Sequence, residues 1–197
     1  MIGRDEFHEN EAWIQTYSGK RFNPTNPVPS AIVIQDIAHS LSMQCRFSGH
    51  VKQFYSVAQH CVLVSHLCNP EDALWGLLHD ATEAYLVDIP RPLKHSGQFD
   101  AYKFFEEKMQ KAICLRFGLD FQEPTSVKRA DNLMLATEAR DLMSPLRHDW
   151  IQSIEPLPLK IIPMNSLEAK RAFLKRFYDL IGEPQEFEFY LENEDKY

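Results

Sequence analysis

The chain has 197 residues, the size of one domain or of one domain with a small appendage. Apolar residues make up 44% and charged residues 25%, enough for a hydrophobic core, and a formal net charge of −7 argues against a large basic face for a nucleic-acid polymer. Prolines and charges interrupt every apolar run before it reaches the length of a membrane span, and the first residues, MIGRDEFHENE, contain no apolar leader core. A cytoplasmic protein without membrane contact is therefore expected. Cys45, Cys61, Cys68 and Cys114 form no CxxC pair and read as buried free thiols.

In chain order, WIQTYSGKRF (Trp13 to Phe22) places a Ser-Gly-Lys turn between two aromatic-flanked segments and predicts a β-hairpin. NPTNPVPS, from Asn23 to Ser30, is a proline-rich connector that cannot be regular helix. From Asp36, a candidate cap, the spacing becomes helical, and a second helix is predicted over Val51 to Leu67. Asp72 is the candidate cap of a third helix, which carries an apolar stripe from Ala73 to Tyr85 and is stopped by Ile89-Pro90-Arg91-Pro92. Further helices are predicted over about Phe99 to Phe117, with Gly118 at C′, and from a Pro124-Thr125-Ser126 cap to about Met143. Ser144 to Pro163 reads as irregular, and Asn165 with Glu168 reads as a capping box for a last helix ending at Gly182. The expected architecture is a single all-α domain over 1–197, a helical bundle of five or six helices with a small β-hairpin. Residues 1–30 supply the hairpin and connector. Residues 183–197 form an acidic tail, expected as a strand, a subunit contact or a disordered segment.

One helix stands out chemically. LLHDATEAYLVDIPRPLK, from Leu77 to Lys94, sets His79, Asp80 and Glu83 among Leu, Ala and Tyr. A carboxylate in apolar surroundings needs a partner, and a divalent cation is the natural one. His60 lies on the apolar stripe of the preceding helix, where an antiparallel pair would bring it opposite His79. Asp131 is flanked at helical spacing by Val127, Ala130, Met134 and Leu135 and is expected to point inward. Each residue alone has a plainer reading: a core histidine for His60, an ion pair with Arg129 or Arg140 for Asp131. Together, two imidazoles and two carboxylates from three helices make a mixed nitrogen and oxygen metal site with positions open for water and phosphate.

The order His60, His79-Asp80, Asp131 resembles the H…HD…D signature of HD-domain metal-dependent phosphohydrolases, over about Arg46 to Arg140, roughly half the chain. CRFSGH, SVAQHC and LLHDATEAYLVDIPRPLK are similar to the 5′-deoxynucleotidase branch and its phage and prophage relatives, including phage dATP triphosphohydrolases. The resemblance implies an HD-domain helical fold, metal ligation by His60, His79, Asp80 and Asp131, phosphate contacts from Arg46 and Lys94, and acid–base work by Glu83 and Asp88. Glu83 is followed by Ala84, so the HDxxED pattern of guanosine tetraphosphate hydrolases is absent; so is the HD-GYP pattern of the cyclic-di-nucleotide class. His50, four residues after Arg46 in a Gly-containing turn, reads as an added phosphate or base contact or as a surface turn residue. Lys52, Arg91 and Lys103 are candidates for a longer phosphate chain. Phe47, Phe54 and Tyr55 are candidates for stacking on a base, or else core residues. His39 and His66 read as structural, and His8, His95 and His148 as surface residues.

The expected activity is hydrolysis of a small 2′-deoxynucleotide, with no nucleic-acid polymer as partner. The enzyme would either dephosphorylate 5′-monophosphates or remove triphosphate from a dNTP such as dATP. The implied cofactor is a divalent ion: Mn, Co, Zn, Ni or Fe, with Mg entering through the phosphates. A cytoplasmic homo-oligomer is expected, and the resemblance to phage proteins also allows a phage-encoded one in the host cytoplasm. The competing reading is a non-enzymatic acidic phage-type interaction protein on the same fold.

Overall fold

Ile14–Gln15 (β1) and Arg21–Phe22 (β2) pair antiparallel, with Ile14 opposite Phe22, in the computed structural model, which describes residues 12–145 and 154–192. Gly19 closes the turn at φ 77°. The hairpin is fastened to the first helix, α1 (Ile34–Met43), by a buried carboxylate: Asp36 accepts from the Ser18 amide (2.7 Å) and hydroxyl (3.0 Å). Asp36 is therefore not the cap of α1. It sits inside the first turn and satisfies the hairpin turn instead, while the connector between them contains a short 3₁₀ turn at Pro29–Ala31.

The next helix, α2 (Val57–Leu67), begins later than the predicted Val51. Phe47, Ser48 and Gly49 all lie in the left-handed region (φ 54°, 51° and 81°), which no right-handed helix contains. The chain instead loops from Arg46 to Tyr55, closed at its base by the Arg46 amide on the Tyr55 carbonyl (2.9 Å), and Ser56 caps α2 through the Gln59 amide. Helix α2 is the central element: it packs on α1, on α3 (Ala73–Leu78), on α7 (Thr125–Leu142) and on α8 (Ser166–Ile181). Its contact with α3 is close because Gly76 has no side chain. A Cβ there would lie 2.6 Å from Cys68 Sγ and 3.3 Å from Ser65 Cα.

The predicted third helix is divided. After Leu78 the backbone tightens to three-residue hydrogen bonds, Ala81 to Leu78 and Glu83 to Asp80 (both 3.0 Å), before a single turn, α4 (Glu83–Leu86). Helix α1 supports this turn, since Gln44 and Ser40 donate to the carbonyls of Glu83 and Ala84 (2.9 and 3.0 Å). Val87, at φ 65°, ends α4, and Pro90 leads into another single turn, α5 (Arg91–Lys94). Asp72 does not cap α3 with its side chain; it accepts from the Ser126 hydroxyl at the start of α7. Ser126 thus ties α7 to α3, and Pro124 occupies the capping position of α7.

Helix α6 (Asp100–Phe117) ends at left-handed Gly118, and α8 opens on the predicted Asn165–Glu168 capping box and ends at left-handed Gly182. The described part of the acidic tail is helical, α9 (Pro184–Glu192), in place of the expected strand or disorder. The alternating acidic and aromatic residues suggested period two, but Tyr178 meets Phe187 and buried Tyr190 follows three residues later, so one helical face docks on α8. Lys170 of α8 lies over the rings of both Tyr17 (4.6 Å) and Tyr190 (5.2 Å).

The fold is therefore all-α with one two-stranded hairpin. One apolar cluster centres on Ile37, Leu41, Cys61, Leu77, Phe173 and Leu174; a second joins Tyr55, Val64, Trp75, Val127 and Met134. Among the described residues no helix is long and apolar enough to cross a membrane. His8, His148 and residues 193–197 lie outside the described residues. Gly76→Ala is expected to destabilise the fold by about 1–3 kcal/mol, measured as a shift of the urea unfolding midpoint, because the added methyl must separate α2 from α3.

A candidate metal centre at the helix crossing

His60 projects from the middle of α2 and is fully buried. His79 and Asp80 follow the last turn of α3, and Asp131 sits on α7. The structure draws Asp80 and Asp131 to the facing rings of His60 and His79. His60 Nε2 lies 3.2 Å from His79 Nε2, 3.4 Å from Asp131 Oδ1 and 3.7 Å from Asp80 Oδ2; His79 Nε2 lies 3.3 Å from Asp80 Oδ2. A divalent ion with bonds of about 2.0–2.2 Å holds its donors roughly 3–3.6 Å apart, so these spacings fit a single cation.

The hydrogen bonds on the far sides of the rings decide the donor character. His79 Nδ1 is 2.7 Å from the Gly76 carbonyl, and His60 Nδ1 is 2.6 Å from a carboxylate oxygen of Glu138. Carbonyls and carboxylates only accept, so each Nδ1 carries a hydrogen, and a neutral ring held this way turns the Nε2 lone pair inward. Two lone pairs and two carboxylates facing each other repel unless a cation or a proton lies among them. His60, His79 and Asp131 fit a metal ion, and these three are positioned to hold one. Cys61, His79 and Asp80 form a second grouping that shares His79 with the first; burial pushes the Cys61 thiol up.

Electrostatics follow the same pattern. Burial disfavours charge on Asp80, but His79, then His60 and Arg46, outweigh it and hold that carboxyl well below the usual range. Asp131 is held low against its burial by His60 and His79. Burial opposes a proton on His79, and Asp80, followed by Cys61, outweighs it and raises the ring's pKa. Glu83 behaves oppositely: burial, then Asp80 and Asp88, push its carboxyl well up, and its Oε2 is buried with no hydrogen-bond partner among the described residues.

The cluster opens on a cavity of about 1090 Å³. The three-residue backbone step after Leu78 places Asp80 and Glu83 one turn apart on the same side, and both line the cavity. Arg46, His50, Asp88 and Lys94 line it too. Arg46 is largely engaged by protein carboxylates, 3.1 Å from Glu138 and 3.4 Å from Asp80. Lys94 is paired with Glu106 at 2.7 Å. Among the residues considered for a longer phosphate chain, Arg91 lines the cavity, whereas Lys52 reaches the Asp141 carbonyl and Lys103 pairs with Asp100. Phe47 lines the cavity; Phe54 lies on a separate groove with Met43 and Pro163, and Tyr55 is fully buried with its hydroxyl on Glu138. His95, expected only as a surface residue, also lines the cavity, while His39 stacks on Tyr17. The four cysteines are free, with Cys61 and Cys114 buried and Cys45 and Cys68 partly covered.

Over 173 residues the chain is 46% identical to the uncharacterized protein YfdR of Escherichia coli K12, spanning 86% of this chain and 96% of YfdR. The chain belongs to the YfdR family. An uncharacterized protein of Rhodobacter capsulatus is 38% identical over 128 residues, 60% of this chain and 65% of that protein. No protein-family model matches the chain.

Sequence reasoning missed Glu138. This fully buried carboxylate accepts from Arg46, Tyr55 and His60 at once. Its signal was available: it follows Asp131 by two helical turns, amid Ala136, Thr137 and Ala139, on a face otherwise committed to the core. In metal-free protein the raised pKa of Glu83 means that native stability falls as pH rises above the ordinary carboxylate range. Glu83→Gln is therefore expected to be more stable than wild type in chelator, by a margin that grows by up to about 1.4 kcal/mol per pH unit as pH rises above the ordinary carboxylate range. Urea unfolding across that range measures the margin.

Proposed function

We propose that this YfdR-family chain is a metal-dependent phosphohydrolase of the HD-domain kind, acting on small 2′-deoxynucleotides. The observation that supports it most is the approach of buried His60 to His79, Asp80 and Asp131, which line a cavity that also holds Arg46, Glu83, Asp88 and Lys94. The ligand set of two imidazoles and two carboxylates suits Mn, Co, Fe, Ni or Zn, with Mg entering beside phosphates. When bound, the cation supplies Lewis-acid polarisation of a phosphoryl oxygen and makes water more acidic.

The chain's own residues do the remainder. Arg46, fixed by Glu138 and Asp80, turns a guanidinium edge toward the cavity for the phosphate, and Lys94 supplies a second positive charge from α5. Glu83, whose carboxyl holds its proton above the ordinary range, is suited to hand that proton to the leaving oxygen as the bond from phosphorus breaks. Asp88, on the exposed side of the cavity, is placed to orient the attacking water. Phe47, Trp75 and Leu135 offer apolar cover for the nucleoside. A purely adhesive role would leave this buried cluster of like charges without a use.

A panel of deoxynucleoside mono-, di- and triphosphates with Mn²⁺, Co²⁺ or Mg²⁺, with the phosphate product identified, tests the reading. Metal-dependent release of inorganic phosphate from monophosphates, or of triphosphate from a dNTP, is the expected result, with Asp80→Ala below detection in either case. Absence of any phosphate product across the panel, with the purified protein free of divalent metal, would sink it.

A further inference from the structure

Glu138 is placed where two functions meet. Its Oε1 accepts from the Tyr55 hydroxyl (2.9 Å) and from His60 Nδ1 (2.6 Å), and its Oε2 accepts from Arg46 Nε (3.2 Å) and lies 3.1 Å from Nη2. All of this is shielded from water, since Glu138, His60 and Tyr55 are fully buried. Carboxylate oxygens cannot donate, so His60 must carry its hydrogen on Nδ1 and leave Nε2 as a lone pair facing His79, Asp80 and Asp131. Arg46 has donors only, so the oxygen opposite it must accept. Each oxygen of Glu138 therefore meets groups that can donate to it, and the carboxylate is pinned at both ends.

We infer that Glu138 is the positioning residue of this site: it selects the His60 tautomer that presents Nε2 to a divalent cation, and the same carboxylate holds the Arg46 fork beside that cation. The inference rests on reading the four-residue cluster as a cation site. It makes a specific claim about an isosteric change. In Glu138→Gln one end of the side chain accepts and the other only donates. Arg46 cannot face the amide nitrogen, so the amide oxygen turns to Arg46 and its NH₂ group turns to His60. His60 must then accept at Nδ1 and move its hydrogen to Nε2, where it no longer offers a lone pair. Removing Arg46 as well, with Arg46→Met, frees the amide to turn its oxygen back to His60.

The test compares wild type, E138Q, R46M and the E138Q/R46M double variant by titration calorimetry with Co²⁺ and by ¹⁵N NMR of the histidine rings in metal-free protein. Co²⁺ affinity is expected to fall roughly 10–100-fold in E138Q, to stay at or above wild type in R46M, and to return to the R46M level in the double variant. The His60 ring is expected as the Nδ1–H form in wild type and the Nε2–H form in E138Q. Wild-type Co²⁺ affinity in E138Q, or a double variant that binds no better than E138Q, would overturn the assignment. If E138Q does not fold, the double variant and R46M are compared directly, and a weaker double variant overturns it. A wild-type protein that binds no divalent ion sinks the cation reading instead, and the ring tautomers then judge Glu138 separately: an unchanged Nδ1–H form in E138Q overturns its role.

Discussion

Two imidazole nitrogens, His60 Nε2 and His79 Nε2, stand 3.2 Å apart with two carboxylates beside them, and much of the architecture serves that approach. The rings come from different helices, so α2 and α3 must run close together. Gly76 permits this by offering no side chain to Cys68 and Ser65, and its carbonyl also takes the Nδ1 hydrogen of His79. One glycine thus sets both the distance between the helices and the orientation of one ring. The other ring is oriented from α7, through Glu138. Helix α2 accordingly lies in the middle of the bundle, touched by α1, α3, α7 and α8.

A cluster of this kind opposes folding. Burial disfavours charge on His79, Asp80, Glu83 and Asp131, and the repulsion of Asp80 and Asp88 shows in the raised carboxyl of Glu83. Local backbone strain adds to it: left-handed Phe47 and Ser48 follow Arg46, and Val87, a β-branched residue at φ 65°, precedes Asp88. These departures fall beside residues that line the cavity, while the helices away from it carry ordinary features such as the Asn165 capping box and the terminal glycines of α6 and α8. Stability is given up locally where the groups must converge and is supplied by two apolar clusters elsewhere.

Kinship with YfdR carries ancestry and fold across nearly the whole of that protein, but chemistry has to be read from the site. The proposal of phosphohydrolysis rests on the metal-ligating group, the Arg46 guanidinium and the raised carboxyl of Glu83 lying about one cavity.

Much of this was legible in the sequence. Helical periodicity, the Asn165–Glu168 box, Gly118, Gly182 and the hairpin turn mark most elements, because these signals act within a few residues. The four proposed ligands were legible too, because charged groups on apolar faces demand partners wherever they occur. What local signals could not show were tertiary assignments. Asp36 and Asp72 look like caps yet bond Ser18 and Ser126 across the fold. The tail's alternation looks like a strand until α8 offers a face for Phe187 and Tyr190. The tightening after Leu78 is supported by Ser40 and Gln44 of another helix. Glu138 gains its role only when Arg46, Tyr55 and His60, far apart in the chain, are folded around it. Sequence determined which groups could not be left alone in a core; tertiary structure alone decided which partner each received, because a buried hydrogen bond is set by distance in space and not by spacing along the chain.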